Sequence, residues 1–455
     1  MAHEADTIVA IATAPFPSGI GVLRVSGMHL DALCRRLTGQ SLPEPRKAAL
    51  RRFFDTSGSQ IDEGLLLFFP APNSFTGEEV LEFQTHGSPV VLHELQEHCL
   101  LSGARLAQPG EFTLRAYLNR RMDLNQAEAV ASLIHAASRQ AAASAAKALV
   151  GHYSEAVDAL VSSLIEQRIY LESHFDFSDE EDVPVYRHQR FREALEGLAG
   201  RLDDLTGRVG RGLLMQQGKK AVLIGVPNVG KSSLLNAITE EDHALVTPIP
   251  GTTRDVIRGY LVLDGIPVHL IDTAGIRDTT DPVEMAGIAR TWQEAMSADL
   301  VLVVVDVRHG LTEEDGDILK NIPAHVKKLL IFNKIDVVCG DLESEIQRER
   351  NPDSTGSLWV SARTGQGLDE LKRCIRLALQ FEDGHSEEAF MVSERHLAAL
   401  RLAREHILSA MKMDVEEFVA EDLKLAQLAL LKISGKDYAA DDLLGDIFAK
   451  FCIGK

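Results

Sequence analysis

The pattern of apolar and polar positions changes texture along the chain. Residues 1 to about 120 carry short β-branched stretches between turns, "TIVAIAT", "GIGVLRVSG", "GLLLFFPAP" and "EEVLEFQTHG", with a helical segment over 89–102. Strand signals dominate, which predicts an α+β domain. From about 122 the chain turns Ala-rich, with Ala127, Val130, Ile134, Ala137 and Ala141 at helical spacing and Gly151 the one interruption before residue 175. More than one long helix is predicted. After the acidic break "DFSDEEDVP", Leu195, Leu198, Leu202, Leu205 and Val209 recur every three and four residues, a further amphipathic helix. Between 218 and 380 wholly apolar runs alternate with helical segments: "KKAVLIG", "YLVLDGIPVHLIDTAG" with Asp264-Gly265 at its turn, "ADLVLVVVD", "KKLLIFNK" and "GSLWVSA". Such runs are buried on both sides, so a mostly parallel sheet between helical layers is expected. Helical spacing returns at Leu397, Leu400, Ile407 and Met411, then at Leu423, Leu428 and Leu431. Helix on either side of an α/β unit predicts a multidomain chain, with that unit inserted into a discontinuous α-helical domain.

A length of 455 residues fits two or three domains, and 45% apolar with 25% charged residues fits an ordinary soluble protein. No apolar run approaches a membrane span and the N-terminus lacks signal-peptide features, so no membrane partner and a cytoplasmic location are expected. Five scattered cysteines without a C-x-x-C pair read as reduced thiols. A formal charge of -20 argues against a protein that coats nucleic acid by bulk electrostatics, while leaving room for a local RNA contact.

"GVPNVGKSS" follows a predicted strand and opens a predicted helix, the setting of a phosphate-binding loop. Asn228, Val229, Gly230, Lys231, Ser232 and Ser233 are its nucleotide-facing part. Backbone N–H groups would wrap the phosphates, Lys231 would reach the outer ones and Ser232 would ligate magnesium. "NKID" ends a buried strand. Asp336 can accept two hydrogen bonds from the guanine edge, a pair that adenine does not offer. Asn333 supports that loop, Lys334 covers the ring, and Ser361, Ala362 and Arg363 complete the base site. Placed after a phosphate loop and "DTAG", in that order, "NKID" points to a GTPase.

"TPIPGTTRD" stands where a first switch belongs, over Thr247, Pro248, Ile249, Pro250, Gly251, Thr252 and Thr253. Thr253 is the candidate second hydroxyl on magnesium, with Thr252 its neighbour. "DTAG" gives Asp272, Thr273, Ala274 and Gly275, with Asp272 reaching the metal through water. Ile276 then occupies the position where Ras-type enzymes orient the attacking water with glutamine. A domain that only binds GTP is one reading. The other uses Asn228, whose side-chain carbonyl can hold a monovalent cation against the phosphates, and Glu284, an acid on the second switch able to hold a water as the catalytic residue.

The set "GVPNVGKSSLLN", "TPIPGTTRD", "DTAGIRD", "NKID" and the terminal "FCIGK" resembles the MnmE (TrmE) family of tRNA-modification GTPases. So do "APFPSGIGVLRVSG", "PNSFTGEEVLEFQTHG" and "QPGEFTLRAYLNRRMDLNQAEAV", so that the likeness covers essentially the whole chain. The ribosome-assembly GTPases Era and Der share the central motifs without the flanking regions, and a ribosome-assembly GTPase without modifying activity is the alternative. The resemblance implies a tetrahydrofolate-binding and dimerisation domain over 1–120, a helical domain over 121–216 and 381–455 that ends in the CIGK motif, and a G domain over 217–380. It implies potassium at Asn228, Thr247, Ile249 and Thr252, dimerising G domains, and Glu284 positioning the water.

It further implies a homodimer that joins the FAD-dependent MnmG protein in a heterotetramer. The pair acts on tRNA, forming 5-aminomethyl or 5-carboxymethylaminomethyl uridine at the wobble position with a one-carbon unit from 5-formyl- or methylene-tetrahydrofolate. Folate contacts fall on Arg24, Glu82, Arg121 and Lys455, a carboxylate suiting the pteridine donors and cations the anionic tail. Glu82 also reads as a strand-face acid and Arg121 as a helix-start charge. Cys452, between Phe451 and Ile453, reads either as a buried thiol or as a group beside the one-carbon donor.

Overall fold

A computed structural model describes residues 6–136, 138–176, 188–240, 257–273, 282–338, 357–379, 389–413, 415–435, 447, 448, 451 and 454. The chain divides into two compact units: Met1–Ala131 with Lys147–Thr206 and Ser393–Lys455, and Ser132–Ala146 with Gly207–Val392. The long segment of the second interrupts the first, as the order of helical and α/β texture predicts.

In the first unit six strands form one sheet in the order β3-β4-β5-β2-β1-β6: β1 Ile8–Ile11, β2 Ser18–Gly27, β3 Ala49–Phe54, β4 Gln60–Phe69, β5 Glu79–Gly87 and β6 Arg105–Leu106. Alternation decides what each face carries. Leu23 and Val25 of β2 enter the core with Leu81 and Phe83 of β5. Arg24 and Glu82 fall between them, paired across the strands on the other face. The predicted helix is Pro89–Leu101, with proline in its first turn, where no N–H is needed, and Leu92, Leu95 and Cys99 against the sheet.

The helical segments before and after the insertion meet in this same unit. Glu128 accepts hydrogen bonds from Ser393 Oγ at 3.1 Å and Arg395 Nη2 at 3.0 Å and pairs with His396 Nε2 at 3.0 Å. Burial raises the Glu128 carboxyl pKa, but His396 and Arg395 outweigh it and hold it at about 2. Arg168 donates to Gln427 at 2.6 Å, and Arg404 pairs with Asp203. The periodic stretch from 122 is not one rod: helices Leu124–Ile134, Arg139–Val150 and His152–Asp176 are separate, the last two parted by Gly151 at φ 105°. Leu195, Leu198, Leu202, Leu205 and Val209 are all buried along helix His188–Gln217. Leu428 and Leu431 are half-buried, because Ala426, Ala429, Leu430 and Ile433 form the inward stripe of helix Glu416–Ser434.

The second unit is built on the order β12-β11-β10-β7-β9-β8, with β7 Lys219–Ile224, β8 Ile257–Leu263, β9 Ile266–Asp272, β10 Leu300–Asp306, β11 Lys327–Asn333 and β12 Ser357–Trp359. All pairs are parallel except β8 with β9, a hairpin turned at Asp264 and Gly265. Every residue of β10 is buried. Its Leu300, Leu302 and Val304 meet Leu234 and Ile238 of helix Lys231–Glu240 and Leu371 of helix Leu368–Ala378. Val301, Val303 and Val305 meet Ala295 of helix Pro282–Met296 and Ile318 of helix Glu313–Asn321. The sheet is therefore covered on both faces, and its β7, β10 and β11 ends converge where the motifs lie. Among the described residues no helix is long and apolar enough to cross a membrane. Cys34, Cys99 and Cys374 are buried free thiols, and Cys339 and Cys452 lie outside the described residues.

Candidate functional site

The segment after β7 turns sharply because two positions tolerate nothing larger than they have. A Cβ on Gly225 would come within 2.3 Å of Val304 O, and one on Gly230, at φ 95°, within 2.5 Å of Asn333 Nδ2. Val229 anchors the loop in the core at 2% exposure, while Asn228 is exposed and left-handed at φ 66°. Lys231 is buried, and its Nζ donates to the Gly225 and Val226 carbonyls at 2.9 and 3.0 Å. Burial pushes its pKa below the usual lysine value, and the Asp272 carboxylate opposes that shift. A cation held by backbone dipoles alone can exchange those carbonyls for the oxygens of an anion.

Ser232 and Ser233 are exposed in the first turn of the following helix. Ser232 Oγ donates to Asp272 Oδ2, which joins the loop to the end of β9. Thr273 Oγ1 donates to Leu223 O at 2.6 Å and fixes that end against β7. A hydroxyl and a carboxylate held together are hard oxygen donors, the chemistry that magnesium takes.

The residues of "NKID" close onto those of "GVPNVGKSS". Asn333, 1% exposed, donates from Nδ2 to Val229 O at 2.9 Å, and its Oδ1 accepts from Ala362 N at 3.1 Å. Lys334, left-handed at φ 69°, donates from Nζ to Asn228 O at 2.6 Å and to Asp306 Oδ2 at 2.8 Å. Ser361 Oγ donates to Asp336 Oδ1 at 2.7 Å, fixing one carboxylate oxygen. Arg363 stands 4.0 Å from Asp336 Oδ2 with its side chain 85% exposed, so it adds little to that anchor.

Asp306 is the residue that the sequence reading missed. It ends β10, is buried, and accepts from Arg308 as well as Lys334; hydrogen bonds from Arg308 first, then Lys334, hold its pKa well below the carboxylate range. Its signal was an acid closing the run "LVLVVVD". Thr247, Pro248, Ile249, Pro250, Gly251, Thr252, Thr253, Ala274, Gly275 and Lys455 lie outside the described residues, as does the side chain of Glu284, which belongs to the first turn of helix Pro282–Met296.

On the face of the first unit's sheet opposite that core, Arg24 and Glu82 are held together, Nε and Nη2 both on Oε1 at 2.9 and 2.8 Å. The Arg24 guanidinium lies 5.8 Å from the ring centres of both Phe75 and Phe112. A half-buried carboxylate beside aromatic rings and a cation fits a flat heterocycle bearing donors. Arg121 is exposed and packs its Cγ beside Gly77, two residues from Phe75. Gly454, at φ 94°, backs onto β1, where a Cβ would meet Ile11 O at 2.5 Å. Gly454 thereby stands against the strand next to β2.

A family model described as the MnmE helical domain matches residues 124–452, and one described as the GTP-binding protein TrmE N-terminus matches residues 7–121. A tRNA modification GTPase MnmE from Nitrosospira multiformis is 46% identical over 99% of this chain and 100% of its own length. The protein of that name from Nitrosomonas europaea is 46% identical over 99% of both chains. A solved structure of Era from Aquifex aeolicus is 25% identical over 44% of this chain and 69% of that one, with a TM-score of 0.29, too low a likeness to bear on the fold.

Proposed function

Because the chain belongs to the MnmE family of tRNA-modification GTPases, we propose that it hydrolyses GTP as one component of an enzyme that modifies tRNA. The observation that carries this reading is the hydrogen-bonded union of phosphate loop and guanine loop through Asn333 and Lys334. One nucleotide bridges the two loops, with Asp336 on the guanine edge and Lys231 transferred from its carbonyls to the outer phosphates. Ser232 and Thr253 would hold magnesium, with Asp272 acting through a water, and the ion would neutralise charge on the phosphates. Asn228, with Thr247, Ile249 and Thr252, would hold potassium, which would add the positive charge that an arginine finger gives elsewhere. Glu284 orients the attacking water, the task that Ile276 cannot perform.

Around this centre we place a folate-binding and dimerising domain over 1–120, a helical domain over 121–216 and 381–455, and a G domain over 217–380. Arg24, Glu82, Arg121 and Lys455 take the folate. With the MnmG protein, the dimer adds an aminomethyl or carboxymethylaminomethyl group at carbon 5 of the wobble uridine in the cytoplasm. The pairing of Arg24 and Glu82 beside two aromatic rings supports the folate assignment.

Hydrolysis is expected to run at least roughly tenfold faster in potassium than in sodium, a cation contribution on the scale of one electrostatic donor. Glu284→Ala is expected to lose roughly a hundredfold in kcat with nucleotide affinity little changed. Steady-state phosphate release in the two salts measures both. Equal rates in the two salts contradict the cation assignment.

A further inference from the structure

We propose that the turn of the β8–β9 hairpin is a nucleotide-sensing contact that couples the two switch segments to helix Arg139–Val150 through Ser138, Gln140 and Gly265. The inference rests on the GTPase reading and deepens it. β8 starts a few residues after the first-switch segment and β9 ends on Asp272, so this hairpin is the covalent bridge between the two switches. Asp264 and Gly265 are both left-handed, at φ 50° and 83°, the geometry of a tight two-residue hairpin turn. Seven residues of β9 span about 20 Å at strand rise. A tilt set at the nucleotide end is therefore delivered, enlarged, at the turn.

That turn is gripped. Ser138 Oγ donates to Gly265 O at 2.7 Å, and the same hydroxyl accepts from Ala141 N at 3.1 Å, capping the helix that follows. One oxygen thus ties the turn to the first turn of Arg139–Val150. Gln140 lies flat on the glycine, with its Cβ, Cγ and Cδ 2.8–2.9 Å from where a Gly265 Cβ would stand. Ile266 packs against the apolar cluster of Ala141 and Ala145. The gripped helix is a continuous run of 12 residues. Asp264-Gly265 reads locally as a turn alone, because the partner of Gly265 lies 127 positions away in sequence.

Hydrogen exchange on the full-length protein, with GDP and with a non-hydrolysable GTP analogue, tests this. In the wild type the amides of 139–150 are expected to differ about fivefold in exchange between the two nucleotides. Ser138→Ala is expected to bring that difference below about twofold, with GTP hydrolysis within about twofold of wild type. Loss of a cap alone raises exchange equally in both states, so the difference between states is the readout that a merely structural role does not move. Gly265→Ala should act in the same direction; if it unfolds the hairpin, Ser138→Ala decides. A hairpin that responds while the helix ignores the nucleotide, or a Ser138→Ala variant with an undiminished response, overturns the inference alone. A hairpin and phosphate loop both indifferent to GTP overturn the GTPase reading and this inference with it.

Discussion

Lys231→Ala is expected to lower kcat/KM for GTP hydrolysis by at least roughly a hundred- to a thousandfold, the scale of removing one preorganised positive donor. The ammonium is already desolvated, so the cost of burying it has been met before substrate arrives, and its two carbonyl partners are exchanged for anionic oxygens. Alanine leaves those carbonyls facing the phosphates, which turns a favourable contact into a repulsive one. The fold should survive, because Val229 still anchors the loop and Asn333 still ties it to β11. Phosphate release and thermal melting together check this. Hydrolysis within fivefold of wild type would mean that the phosphates lie elsewhere.

Asp336→Asn should weaken GTP binding roughly a thousandfold, about 4 kcal/mol, because an acceptor pair built for guanine donors becomes half donor. Ser361 pins Oδ1, so the loop has little freedom to rescue the mismatch by rotating the side chain. Xanthine carries a carbonyl where guanine carries its amino group, and the new amide N–H can donate to it. Competition binding with GTP and XTP should therefore show the preference reversed. Unchanged preference for GTP would detach the base site from Asp336.

Much of this was legible in the sequence because it is local. The run "LVLVVVD" announced a strand buried on both faces, and β10 is one, its alternate valines and leucines divided between two helical layers. "GVPNVGKSS" and "NKID" announced loops whose chemistry is written in consecutive residues. What escaped depends on register and distance. Asp306 looked like a strand end, and its hold on Lys334 exists only because β10 and β11 pair Asp306 with Asn333. Arg24 and Glu82 were singled out separately, by resemblance; that they form one ion pair follows from the β2–β5 register across 58 residues. The Ala-rich stretch marked its break at Gly151 but hid the one between Ile134 and Arg139, since alanine continues a helical pattern without marking which turn the chain abandons.

Nucleoside mass spectrometry shows whether GTP hydrolysis by this chain serves tRNA modification. Wobble uridines are compared in tRNA from a strain lacking the chain, complemented with the wild type or with Glu284→Ala. The carbon-5 modification is predicted to vanish without the chain, to return with the wild type and to stay absent with the variant. An unchanged nucleoside profile in the strain lacking the chain would contradict the account.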